Sequence, residues 1–193
     1  VAIVETEEVI VGAIARRFHG TMTNCSASGT LEMNNTEFNS PTTNKYDIIN
    51  IGGLVGQAGN ATFENCENRV NVTIKSMTSD EVAKIYAAIG GAIGGVHTLS
   101  SLTNVDNYGA VTIDVSRKEY TYVHAAGVVG QMIWYSTDVA TAPDVKVVTK
   151  CDNHGTITTT AEATGLASSI YAGIVATMTR GITNFSYNHN HGA

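Results

Sequence analysis

The chain has 193 residues, of which 43% are apolar and only 15% are charged, so it can bury a core and is not typical of a disordered segment. Its formal net charge is −6 and it contains no basic run, which argues against a protein that binds nucleic acid. The longest stretch of small apolar residues, 85–96, is shorter than the roughly 20 residues that a membrane-spanning helix needs. We therefore expect no membrane span.

A short glycine-rich motif recurs at residues 11–15, 52–56, 90–94, 126–130 and 172–176. When Gly12, Gly53, Gly91, Gly127 and Gly173 are taken as equivalent, subtraction gives intervals of 41, 38, 36 and 46 residues. Near-regular self-similarity at this period is typical of repeat proteins, in which each unit packs on its neighbours. We interpret residues 1–193 as a single repeat domain and, since no initiating methionine is present, expect it to be a mature or excised segment.

A second motif follows each glycine motif. It begins at Asn24, Asn65, Asn104 and Lys150, and Asn184 is taken as a degraded fifth copy, which gives distances of 12, 12, 13, 23 and 11 residues from the motif glycine. Only the fourth distance is long, so we predict an insertion at residues 131–146. The second asparagine of the motif is predicted to form a turn column, because asparagine tolerates left-handed geometry and its amide can bond to the next copy. This column consists of Asn68, Asn107 and Asn153.

The residues around the second motif alternate between apolar and polar, which indicates short half-buried strands. Three such strands in about 40 residues, with small residues at the corner, predict an all-β fold: a parallel β-solenoid with loop insertions on one side. The predicted apolar columns are Leu31, Val72, Val111 and Ile157, and Met33, Ile74 and Ile113.

The cysteines Cys25 and Cys66 occupy one further column, which Val105 and Phe185 continue. Apolar residues in the same column favour buried free thiols over a disulfide. This prediction requires a turn at Asn24 that brings Cys25 inward.

Carboxylates occupy the third position of the second motif in three copies: Glu67, Asp106 and Asp152. Stacked oxygens of this kind are weak candidates for calcium ligands, and two of them could form a glycosidase pair. The alternative is a solvated turn face. His189 and His191 have a spacing that could chelate a metal, but they lie near the chain end, where we expect disorder. The sequence therefore predicts no metal site and no cofactor.

Aromatic residues accompany the insertion and the loop before it. They are Trp134, Tyr135, Tyr120 and Tyr122, and Trp134 is the only tryptophan of the chain. Exposed aromatic side chains commonly stack on sugars or anchor protein partners. These four residues are our candidates for ligand contact, although the loop could instead fold back and cover apolar surface.

The motifs resemble the GLUG repeat family, best at Gly53-Leu54-Val55-Gly56 and more loosely at Gly127-Val128-Val129-Gly130. The companion Asn-Cys motif is similar to repeats of large bacterial surface proteins and adhesins. This resemblance implies a non-catalytic structural or adhesion module, bacterial in origin, that is secreted or displayed at the cell surface. Its implied partners are glycans or surface proteins.

Two alternatives remain open. The first is a carbohydrate-active enzyme, a polysaccharide lyase or hydrolase, that uses carboxylates on the solenoid. The second is a subunit that associates head to tail, because a solenoid that begins and ends within a repeat exposes strand edges. Residues 1–4 and 8–11 are the predicted donor strands.

Overall fold

The computed structural model describes residues 8–34, 37–38, 46–79, 84–115, 121–133, 145–159, 168–178 and 182–192. These ranges form strands joined by bends, and strands of successive coils pair in parallel. The predicted all-β, parallel β-solenoid is confirmed. Within the described ranges, no helix is long and apolar enough to cross a membrane.

The strands are numbered in chain order. They are β1 (Glu8–Gly12), β2 (Ala15–Thr23), β3 (Ser26–Asn34), β4 (Glu37–Phe38), β5 (Tyr46–Gly52), β6 (Val55–Ser79), β7 (Lys84–Gly90), β8 (Ile93–Asn107), β9 (Val111–Val115), β10 (Thr121–Ala126), β11 (Val129–Ile133), β12 (Val145–Thr149), β13 (Asp152–Asn153), β14 (Ile157–Thr159), β15 (Ser168–Ala172), β16 (Val175–Met178), β17 (Ile182–Ser186) and β18 (His189–Asn190).

Strands β1, β5, β7, β10 and β15 stack in that order to form the first side of the solenoid. Their register aligns Val11, Ile51, Ile89, Ala125 and Tyr171. Subtraction gives coils of 40, 38, 36 and 46 residues. The chain thus returns to the same side about every 40 residues, as predicted, and the backbone groups of each coil bond to the next one.

Each strand of the first side ends at a two-residue bend, at 13–14, 53–54, 91–92, 127–128 and 173–174. The predicted corner is therefore confirmed. The register pairs Gly12 with Gly52, so Ala13 is the equivalent of Gly53 and the first interval is 40 residues instead of 41. The predicted equivalence of Gly12 and Gly53 is wrong by one residue, because the first coil has one glycine at this corner where the second coil has two.

A second bend divides the second side of each coil from the third side, and one residue with positive φ makes it. These residues are Asn24 (54°), Asn65 (53°), Asn104 (56°), Lys150 (54°) and Tyr187 (56°). The turn predicted at Asn24 is confirmed. Asparagine enters the left-handed region more readily than most residues, which explains its use in the first three coils. In the second coil, β6 runs through this bend and forms both sides.

The fifth copy of the second motif begins at Tyr187 and not at Asn184. Strand pairing places Phe185 opposite Val148, so Phe185 does not continue the cysteine column and that prediction is wrong. The prediction took asparagine as the mark of the motif, whereas the feature that all five copies share is a residue with positive φ, which in the fifth copy is Tyr187. The expected disorder near the chain end is also wrong, because β18 pairs with β13.

Buried apolar residues form two clusters. One joins the first side to the third and contains Ile49 and Ile51 together with both predicted columns, whose register is confirmed. The other lies under the second side and contains Leu54, Phe63 and Leu102. Both clusters run from coil to coil, so burial of apolar surface stabilises the stack along its whole length.

The three cysteines are free, with Cys66 and Cys151 buried and Cys25 half-buried. Cys66 pairs in register with Val105, as the cysteine column predicts, and the prediction of free thiols is confirmed. Burial raises the pKa of the Cys151 thiol to about 11. Because the thiolate is the reactive form, a buried thiol of this kind is a poor nucleophile.

The predicted insertion leaves from the second side of the fourth coil, where β11 ends at Ile133 and β12 begins at Val145. In the earlier coils the same level carries a bulge, seen as a register shift between Phe18 and Gly20 and again between Gly59 and Ala61. A bulge already interrupts the ladder. The insertion thus enters at the point where the regular pairing is already broken.

Candidate functional site

The candidate site is built on a column of buried asparagines. Asn68 and Asn107 are fully buried and Asn153 nearly so. The Nδ2 of Asn68 donates to the Oδ1 of Asn107 at 2.8 Å, Asn107 donates to Asn153 at 2.8 Å, and Asn153 donates to Asn190 at 2.7 Å. The predicted bonding from copy to copy is therefore confirmed. The left-handed geometry expected of Asn68, Asn107 and Asn153 is wrong, because positive φ occurs three residues earlier.

Each asparagine of the column also closes its own turn. In the third coil, the Oδ1 of Asn107 accepts from the backbone N–H of Gly109 at 3.2 Å, and its Nδ2 donates to the Gly109 carbonyl at 2.8 Å. Asn153 repeats both bonds with Gly155. A buried amide whose groups are all bonded incurs no desolvation penalty for an unmade bond, and it specifies one register for neighbouring coils.

The asparagine column and the corner carbonyl of the next coil together explain why the corner contains glycine. A Cβ added to Gly53 would lie 2.5 Å from the Cγ of Asn68, and one added to Gly91 would lie 2.5 Å from the Cγ of Asn107. Gly127 and Gly173 meet Asn153 and Asn190 in the same way. In the first coil, Ala13 replaces the glycine and Ala27 replaces the asparagine. The two sequence motifs are therefore the two halves of one contact.

The residues on either side of Asn68, Asn107, Asn153 and Asn190 form an outer grid. Successive side chains of a strand point to opposite faces, so these neighbours face outward. Strand register aligns the coils in two columns. The acidic column consists of Glu67, Asp106, Asp152 and His189, and the ring column consists of Arg69, Tyr108, His154 and His191.

The acidic column brings together the three carboxylates that the sequence indicates. The Oδ1 of Asp106 accepts from the backbone N–H of Asp152 at 3.2 Å. The Oδ1 of Asp152 accepts from the backbone N–H of His189 at 3.2 Å and from its Nδ1 at 3.0 Å. Glu67 pairs with Arg69 on its own strand. One oxygen of Asp106 and one oxygen of Asp152 thus tie one coil to the next, whereas Glu67 is held within its own strand.

Burial raises the pKa of the Asp106 carboxyl, and the neighbouring charges of Asp152 and Glu67 raise it further. Two interactions oppose this shift, the hydrogen bond from the backbone of Asp152 and the attraction of His154. Carboxylates stacked on successive coils therefore repel one another. The three weak calcium candidates thus lie together, and calcium binding stays an alternative to the predicted solvated turn face.

The ring column is a continuous stack that the sequence prediction missed. The guanidinium of Arg69 lies 4.5 Å from the ring centre of Tyr108. Tyr108 stacks on His154 at 4.5 Å with an interplanar angle of 3°, and His154 stacks on His191 at 4.7 Å and 8°. The available signal was the residue after each asparagine of the column, which is large in all four coils. Because the sequence prediction began the fifth copy at Asn184, it did not align His191 with His154.

One corner of the grid brings metal-ligating atoms together. A carboxylate oxygen of Asp152 and one ring nitrogen each of His154 and His191 lie within 4.8 Å of one another. Asp152 is half-buried and the two histidines are exposed. Imidazole nitrogen and carboxylate oxygen are the ligands preferred by zinc and related divalent ions.

The predicted aromatic site is represented by Tyr122 alone, since Trp134, Tyr135 and Tyr120 lie outside the described residues. Tyr122 is half-buried on β10 and stacks on Tyr86 with ring centres 5.8 Å apart. The Tyr86 hydroxyl lies 3.0 Å from the Nδ1 of His124 and also accepts from Gln131. Burial lowers the pKa of His124. Tyr122 is thus part of a packed polar cluster on the first side.

The model of the GLUG motif matches residues 48–73. The chain carries a GLUG motif. The matched segment runs from β5 through the glycine corner and most of β6, so it includes both Gly53 and Asn68. In structural terms, this GLUG segment contains the complete glycine–asparagine contact of one coil. No curated protein and no solved structure matches the chain.

Proposed function

We propose that this chain is a non-catalytic structural module of a secreted or cell-surface bacterial protein, which extends and displays ligand-binding loops. The observation that carries the proposal is the asparagine column, bonded from coil to coil through the interior. A buried, fully bonded column holds successive coils in one register. That property suits a rigid spacer, and the GLUG match is in keeping with such a module.

The absence of catalysis is part of the proposal and is supported by the state of the carboxylates. A glycosidase needs one carboxyl group free to donate a proton and a second free to attack or to activate water. Here Asp106 and Asp152 accept bonds from the backbone of the next coil, and Glu67 is paired with Arg69. A polysaccharide lyase or hydrolase remains the alternative. Turnover of a polysaccharide that is abolished by Asp152→Asn would establish it.

A glycan array is the direct test of display. We expect the wild-type chain to bind a defined set of glycans, and Trp134→Ala to lose that binding because the insertion loses its largest ring. Tyr108→Ala is the matched control, since it removes an exposed ring from the solenoid surface instead of from the insertion. Equal binding by wild type and Trp134→Ala, or no binding by either, would contradict the adhesive role.

A second candidate function is head-to-tail assembly, favoured by the apolar side chains that the last coil exposes. Five large ones are between 37% and 76% exposed. They are Ile170, Tyr171, Met178, Phe185 and Tyr187. On the first coil, Ile14 is 45% exposed. Strand β1 pairs on one edge with β5, and the other predicted donor segment, 1–4, lies outside the described residues.

Sedimentation velocity over a range of concentrations tests the assembly. Wild type is expected to sediment faster as the concentration rises, and Met178→Glu combined with Phe185→Glu is expected to remain monomeric, because both changes place charge on the exposed coil. Thr158→Glu, on an exposed position of the coil before it, is the control. A wild type that is monomeric at every concentration would refute this candidate.

A further inference from the structure

Four residues of the outer grid form a compact patch on the last two coils. Asp152 and His154 lie on one coil, and His189 and His191 lie directly beside them on the next. We call these four residues the last-coil patch. The display function does not use this patch. Its three imidazoles and one carboxylate differ from the two preceding coils, which carry Glu67 with Arg69 and Asp106 with Tyr108 at the same positions.

We propose that the last-coil patch binds one zinc-type divalent cation through Asp152, His154 and His191. Each of the three contributes one ligand atom, and these atoms lie within 4.8 Å of one another. Tetrahedral zinc, with bonds near 2.0–2.1 Å, places its ligand atoms about 3.4 Å apart. The ligands therefore need to approach by only a small side-chain movement.

That movement is a rotation of the two imidazole rings. In the stack, His154 and His191 are nearly parallel at 4.7 Å, and the nitrogen lone pairs lie in the ring planes, so they do not converge on one point. Both side chains are exposed, so their rings can turn toward solvent once the stacking contacts are given up. Binding is therefore expected to break the stack of His154 on Tyr108 at the same time.

His189 has a separate, positioning role. Its Nδ1 donates to the Oδ1 of Asp152 at 3.0 Å, and its backbone N–H bonds to the same oxygen at 3.2 Å. The other oxygen of this carboxylate is then directed to the ion. A hydrogen bond that orients a ligating group usually changes metal affinity about 10- to 100-fold when it is removed.

The donor set also selects the class of ion. Two imidazole nitrogens and one carboxylate oxygen suit Zn²⁺, Co²⁺ or Ni²⁺, whereas Ca²⁺ requires six to eight oxygen ligands. Three protein ligands leave one position of a tetrahedral ion open to water or to a group from a partner molecule. Calcium binding by the acidic column is the competing outcome, and a parallel titration with Ca²⁺ distinguishes it.

Titration calorimetry with Zn²⁺, on the full chain after treatment with a chelator, tests the proposal. We expect one Zn²⁺ per chain. When Co²⁺ is added in place of Zn²⁺, we expect the visible absorption of a tetrahedral Co²⁺ complex. His154→Ala and His191→Ala should abolish binding at this site, and His189→Ala should weaken it about tenfold. Affinity should also fall in acid, because protons compete with the ion for imidazole.

Two variants serve as controls. His19→Ala removes an exposed histidine on the first coil, and Cys25→Ser removes the one half-buried thiol among the three cysteines. Both should bind as the wild type does. Zinc should raise the unfolding temperature of the wild type but not that of His191→Ala, whose fold is checked by circular dichroism.

Three results would overturn the proposal. They are no binding by the wild type, unchanged binding in His154→Ala and His191→Ala, or equal affinity for Ca²⁺ and Zn²⁺. Binding that disappears in His19→Ala or in Cys25→Ser would place the ion elsewhere and would count equally against it. None of these results bears on glycan binding, so the display function is tested independently.

Discussion

The asparagine column and the ring column are neighbours on the same strands, yet they follow opposite rules. Inside, the same residue repeats in four coils, from Asn68 to Asn190, because each amide bonds to an identical amide on a neighbouring coil. Outside, one position further along, arginine, tyrosine and two histidines follow one another. Identity is required where a side chain bonds to its own kind in a dry interior. Size alone suffices where rings stack at the surface.

The strongest way to break the inner column is to remove one amide from its middle. Asn107→Ala leaves Asn68, Asn153 and the turn at Gly109 with unmade buried hydrogen bonds. Each such group costs about 1–3 kcal/mol, so we expect the free energy of unfolding to fall by about 4 kcal/mol. Urea denaturation measures this loss. A change below about 1 kcal/mol would show that the column does not hold the coils together.

The second way is to add a methyl group at the glycine corner that contacts the asparagine column. In Gly91→Ala, the added Cβ would lie 2.0 Å from the carbonyl oxygen of Gly127 and 2.5 Å from the Cγ of Asn107, and neither group can withdraw without losing bonds. Overpacking of a core typically costs about 1–3 kcal/mol, and we expect about 2 kcal/mol in urea denaturation. Ala13→Gly is the reverse change at the equivalent corner, where Ala27 replaces the asparagine, and we expect it to cost less than Gly91→Ala. Equal losses in both variants would contradict the glycine–asparagine contact.

The ring column should tolerate truncation of one side chain to alanine better than the asparagine column does. Tyr108→Ala removes one ring stack and one cation–π contact from a residue that is 38% exposed. Each contact is worth about 0.5–1 kcal/mol at the surface, so the expected loss is about 1 kcal/mol. The same urea experiment compares it directly with Asn107→Ala. A loss as large as that of the asparagine variant would erase the distinction between the two columns.

The smallest effect concerns charge in the acidic column. The pKa of Asp106 is raised in the folded protein, so its ionised form destabilises the fold at neutral pH, and this penalty disappears as the pH falls below the ordinary value near 3.9. Asp106→Asn keeps an acceptor for Asp152 and should stabilise the protein by less than about 1 kcal/mol at pH 7. The gain should vanish near pH 3. A gain that is independent of pH would rule out charge as its cause.

The sequence predicts the period and the two long apolar columns, because alternation and repetition act over short distances. It does not reveal that Asn68 is buried while Asn65 makes the turn, since both are asparagines of one motif. It also misplaces the fifth copy, because Tyr187, like Lys150, has a positive φ that its residue type does not predict. The grouping of Asp152, His154 and His191 depends on that register, and so it emerges only from the structure.

The amides of the buried column all point the same way, since each Nδ2 donates to the Oδ1 of the following coil. Their dipoles therefore add along the axis, and a chain of aligned hydrogen bonds strengthens by mutual polarisation. The solenoid thus has electrical polarity in its interior, although strand dipoles themselves lie across the axis. The two ends of the asparagine column are chemically unequal: an amide placed against Asn190 must present its carbonyl, whereas one in the place of Ala27, against Asn68, must present its N–H.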